Sequence, residues 1–66
     1  MIKVFLRDAV ATKGLGDTDT VPIQAGTRVT VADMAPTLRG LIRFSKGSES
    51  LEMPAKVFIE STTDRN

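Results

Sequence analysis

Apolar and polar positions alternate from the first residues onward. In "IKVFLR", Ile2, Val4 and Leu6 share one face and Lys3, Phe5 and Arg7 the other, the period of a half-buried strand. This predicts a first strand with Phe5 turned outward. The period then lapses over "DAVATKGLGDTDTVPIQAG", nineteen residues with three glycines, a proline and three aspartates, which reads as a long first loop over residues 8–25 or an irregular hairpin. Alternation returns in "QAGTRVTVADM": Gly26 marks a turn, Val29 and Val31 point inward, and Arg28 and Thr30 point outward. Residues 34–44 fit two patterns. Met34, Leu38, Leu41 and Ile42 recur at helical spacing behind a capping Asp33. Gly40 and Pro36 oppose a helix, and Leu38, Gly40, Ile42 and Phe44 alternate with Arg39, Leu41 and Arg43 as in a strand, the preferred reading. A turn at Lys46-Gly47 leads to a fourth strand, "SLEM", with Leu51 and Met53 inward and Glu52 outward. Pro54 has no N–H to give to a ladder, so the chain breaks there into one short turn and a last extended piece within "AKVFIE". The polar residues 61–66 read as a frayed tail.

This succession predicts an all-β fold, a five-stranded, partly closed small barrel over residues 1–60, because short consecutive strands that curl leave little edge exposed. The chain has 66 residues, close to the lower limit for a self-sufficient core, and lacks both cysteine and histidine. Disulfides and the usual zinc or iron–sulfur ligands are therefore excluded, no cofactor is expected, and an efficient core or association with another chain must supply stability. Nine basic residues against eight acidic give a net charge of +1 with no charged block, unlike a dedicated nucleic-acid binder. No apolar run reads as a signal peptide or reaches membrane-spanning length, so a cytoplasmic location and no membrane partner are expected.

In order and spacing the chain resembles the Src-homology-three-like small barrels. "VPIQAGTRVTV" is similar to that family's diverging turn and second strand, and "EMPAKVFIE" to its proline-led 3₁₀ turn into the last strand. "ATKGLGDTDT" stands where the family keeps its long first loop. The resemblance implies a 3₁₀ turn at Pro54 and a groove beside it, with Val57 in the place of the family's groove tyrosine and Asp17 and Asp19 in the place of its loop acids. The family's proline-rich ligands dock on flat aromatic walls, yet this chain has no tryptophan, no tyrosine and three phenylalanines. The fold carries over and the ligand does not: no proline-rich peptide is expected.

Catalysis is not expected either. Without histidine, cysteine or tyrosine, no remaining acid, base or hydroxyl is spaced to form a reactive pair. "GLGDTD" lacks the third glycine of a dinucleotide fingerprint and the closing glutamate of a calcium hand, and reads as a solvated loop tip. Arg39 and Arg43 share a face of the expected third strand, with Lys46 in the next turn and Arg28 alongside. Such a row could meet phosphates, making a small nucleic-acid-binding barrel the alternative function; a solvated face paired to Glu49 or Glu52 is the simpler account. Phe5, Leu41 and Phe58 fall opposite their strands' main apolar partners. If exposed together they would form a patch for another protein or a second copy of the chain. The expected function is a non-enzymatic protein–protein interaction module, an accessory subunit or small regulator, using that patch, the groove residues Pro54 and Val57, or the loop acids.

Overall fold

The computed structural model describes residues 1–14 and 19–64. Along them run β1 (Ile2–Phe5), β2 (Ala9–Lys13), β3 (Thr20–Ile23), β4 (Arg28–Thr30), β5 (Leu41–Lys46), β6 (Glu49–Pro54), the helix α1 (Ala55–Ser61) and β7 (Thr62–Asp64). The strands form one antiparallel sheet in the order β3-β2-β6-β5-β4-β1-β7. The expected all-β fold holds only as mostly β, since a helix is present, and the strand number and closure are corrected. Among the described residues seven strands are present instead of five, and the sheet is open, with β3 and β7 at its edges. Two of the strands that were not expected, β2 and β3, come from the stretch read as a long loop or irregular hairpin, where Ala9–Thr12 pairs with Thr20–Ile23. Pro22 lies in the edge strand β3, where a residue without an N–H is tolerated.

Turns obey the backbone chemistry of their residues. Gly26 adopts φ +89°, and the Thr27 N–H donates to the Gln24 carbonyl at 3.1 Å, while the Ala25 N–H donates to Asp8 Oδ1 at 2.8 Å. Residues 34–40 are irregular, so neither the helix nor a strand beginning at Leu38 forms. Asp33 Oδ1 accepts from the Ala35 N–H at 2.8 Å, closing a local turn in place of a helix cap. Gly40 at φ +76° then ends a turn in which its N–H donates to the Thr37 carbonyl at 2.9 Å. Only from Leu41 does the chain extend, with Ile42 and Phe44 buried as expected.

Phe5, Ala11, Ile23, Val29, Val31, Ile42, Phe44, Leu51, Met53 and Phe58 form the core. Within it the three phenylalanine rings meet: Phe5 lies edge-on to Phe58 at 5.8 Å, Phe44 is 5.9 Å from Phe5, and Phe44 and Phe58 are 5.2 Å apart. The face assignment of β1 is thereby reversed. Lys3 is opposite Val29 and Phe5 opposite Thr62, so Lys3 and Phe5 look inward and Ile2 and Val4 outward. Phe5 is 1% exposed and Leu6 62%: the larger ring takes the interior place.

Pro54 does end a strand, but the chain then enters a seven-residue α-helix and not a 3₁₀ turn with an extended piece. At φ −54° and ψ 135° Pro54 pairs with Leu41 and precedes the helix, where its missing donor leaves nothing unsatisfied. Ala55 packs on the core, while Phe58 and Ser61 are buried, the recurrence of an inward helical stripe. Thr62 Oγ1 donates to the Phe58 carbonyl at 2.8 Å as the helix ends. The supposed frayed tail is also corrected, because Thr62, Thr63 and Asp64 pair with Phe5, Val4 and Lys3.

Candidate functional site

On the outer face of β5 and β6, cross-strand pairing stacks three pairs: Leu41 opposite Pro54, Arg43 opposite Glu52, and Ser45 opposite Ser50. Directly paired residues share a face, so this ladder lies opposite the buried Ile42, Phe44, Leu51 and Met53. It is apolar at the Pro54 end and hydroxylic at the hairpin end, with one ion pair between.

The apolar end is held by hydrogen bonds to the backbone. Thr37 N–H donates to the Leu41 carbonyl at 2.7 Å, and Leu41 N–H to Thr37 Oγ1 at 3.3 Å. Ala55 N–H donates to the Gly40 carbonyl at 2.9 Å, joining the 37–40 turn to the start of α1. Leu38, fully exposed at the tip of that turn, and Val57, exposed on the helix, each lie two residues from this link. Leu41 is half-buried and Pro54 exposed. Leu38 carried no signal as a surface residue in the sequence, because the strand reading placed it inward.

Glu52 occupies the middle of the ladder and is 6% exposed, although its alternation with Leu51 and Met53 predicts an outward position. Both statements hold: it points away from the core but lies between Arg43 and Thr12 on the neighbouring strands, with Gly14 close above it. A Cβ built at Gly14 would come within 3.2 Å of Glu52 Oε1, so the glycine permits this cover. Arg43 Nε donates to Glu52 Oε2 at 3.4 Å, and the Arg43 side chain is 64% exposed. This is the carboxylate pairing expected of a solvated basic face.

Beside the ladder lies a recess of about 250 Å³, lined in part by Gly14, Thr30, Arg43, Ser45 and Ser50. A second recess, lined by Asp33, Ala35 and Thr37, also reaches Arg43. Among the described residues no group of three or more carboxylates is placed to hold a metal ion.

The structure separates the expected partner-binding residues. Phe5 and Phe58, 1% and 0% exposed, are withdrawn into the aromatic core and cannot form a surface patch with Leu41. The reason is the reversed β1 face and the helix that turns Phe58 inward. Leu41, Pro54 and Val57 remain at the surface. Asp19 accepts the Lys13 N–H at its backbone carbonyl, 3.2 Å away, at the neck of the β2–β3 hairpin, whereas Asp17 lies outside the described residues. The basic row is dispersed. Arg39 precedes β5 in the irregular segment, Lys46 alternates onto the face opposite Arg43, Arg28 is in β4, and Arg43 is paired to Glu52.

Comparison with protein-family models, with curated proteins and with solved structures returns no match.

Proposed function

We propose that the protein is a non-enzymatic protein–protein interaction module of the cytoplasm, an accessory subunit or small regulator that holds a larger partner or a second copy of itself. The binding surface in this reading is Leu38, Leu41, Pro54 and Val57. The single observation that carries it is Leu38: a leucine fully exposed at the tip of a turn that hydrogen bonds hold in place. A side chain whose burial elsewhere is favourable by about 1.5–3 kcal/mol is here presented to solvent on an ordered backbone, which lowers the ordering cost of any partner that covers it.

An affinity with the Src-homology-three-like barrels belongs to the same proposal. It is supported by the order of elements: a first strand, a hairpin in place of the long loop, three strands joined in succession, a helix after a proline and a short last strand. It is supported also by β1 lying between β4 and β7. The open sheet and the α-helical form of the turn depart from the expected barrel.

The test compares the parent chain with Leu38→Ser and Leu41→Ser in sedimentation at two concentrations and in retention of a partner from the native host. Loss of association in both variants, with unchanged thermal unfolding of Leu38→Ser, is the expected result. Association that survives both substitutions removes the proposal.

A further inference from the structure

We propose that the recess beside Arg43 binds a carboxylate, and that the occupant of the β5–β6 face is an extended acidic peptide segment with an apolar side chain two positions from its acid. This rests on the interaction-module reading and specifies the partner's chemistry. Cross-strand pairing sets Ser50, Ser45 and Thr30 abreast on one face, with Ser45 two residues along β5 from Arg43. All four line the same recess. Among the described residues the three hydroxyls make no side-chain hydrogen bond, and Arg43 uses only Nε, towards Glu52. The guanidinium therefore keeps the edge formed by its two terminal nitrogens, whose parallel N–H groups match the two oxygens of a carboxylate. The hydroxyls supply further donors. The Arg43 and Leu41 levels of the ladder are two residues apart, about 7 Å, the same-face spacing of an extended peptide.

A polyphosphate chain fits this face poorly. Arg28, Arg39 and Lys46 do not line the recess, while Asp33 and Glu49 line adjoining recesses, Glu49 together with Lys13. A single carboxylate needs only one guanidinium, which it would share with Glu52: Glu52 accepts from Nε and leaves the two terminal nitrogens.

The probe is a capped pentapeptide of threonines with leucine second and glutamate fourth, titrated to millimolar concentration into the ¹⁵N-labelled full chain. Amide shifts concentrated at Thr30, Arg43, Ser45 and Ser50 are expected, with about tenfold weaker binding when glutamine replaces glutamate. Arg43→Gln combined with Glu52→Gln, which avoids leaving a buried carboxylate without its cation, should abolish that preference. Equal affinity for the two peptides, an unchanged preference in the double variant, or no shift at all overturns the proposal. So does inorganic phosphate moving the same amides at lower concentration than acetate. Changing the peptide keeps the test valid if the double variant fails to fold. A third peptide, with threonine for leucine, separates the two levels: a glutamate preference without a leucine preference removes the apolar surface and keeps the carboxylate site. A leucine preference without a glutamate preference does the reverse.

Discussion

Phe58 joins α1 to the rings of Phe5 and Phe44, so one side chain closes the contact between the first strand, the middle of the sheet and the C-terminal helix. Its removal should be severe. Phe58→Ala leaves a cavity bounded by the other two rings and should cost about 3–5 kcal/mol, measured by urea unfolding, a large share of the stability of so small a domain. An unfolding midpoint close to that of the parent chain would mean that the rings do not organise the core. Gly40 isolates a different effect. Nothing lies within 4 Å of a Cβ built there, but its φ is +76°. Gly40→Ala should therefore lose about 1–2 kcal/mol through backbone conformation alone, without a packing clash. Urea unfolding of this variant measures the loss, and a midpoint equal to the parent's would mean that the 37–40 turn is not part of the folded unit.

At the level of elements, α1 and β7 act as a closing strap. Pro54 stops β6, α1 turns Phe58 inward, and β7 then pairs along the edge of β1 that β4 leaves free. The ion pair across this last pairing, Lys3 Nζ to Asp64 Oδ1 at 2.6 Å, has an aspartate that is 73% exposed and contributes little. Asp64→Ala should change stability by less than about 1 kcal/mol. Truncation after Ser61 should instead accelerate amide exchange along β1, because Thr62 and its hydrogen bond to Phe58 are lost with the strand. Equal exchange at Val4, whose N–H lies on the β7 side of β1, in the two chains would show that β7 is not part of the cooperative unit.

The whole molecule has a thin margin: among the described residues a core of ten buried apolar side chains, no disulfide in a chain without cysteine, and sheet edges at β3 and β7. Such a domain gains from burial against another chain, and apolar association of the kind proposed should depend weakly on salt. Between about 50 and 200 mM salt, partner retention should change less than about threefold, whereas four phosphate contacts would lose roughly a hundredfold. A steep loss would return the function to nucleic acid and to Arg28, Arg39, Arg43 and Lys46.

The alternation of residues by itself determined where β4, β5 and β6 run, with Val29, Val31, Ile42, Phe44, Leu51 and Met53 inward, and the breaks at Gly26 and Pro54. Period two and turn chemistry are local properties, so they are legible without neighbours. Local order could not say which face of β1 is inside, since both faces carry large apolar groups and pairing with Val29 and Thr62 decides between them. Nor could it place α1, because Ala55, Phe58 and Ser61 become a stripe only when the core beneath them exists. The same holds for the candidate site: Leu41, Pro54 and Val57 were visible singly, but the exposure of Leu38 and the burial of Glu52 come from contacts between distant strands and turns. Spacing along a chain sets period, and only tertiary packing sets which side of that period meets water.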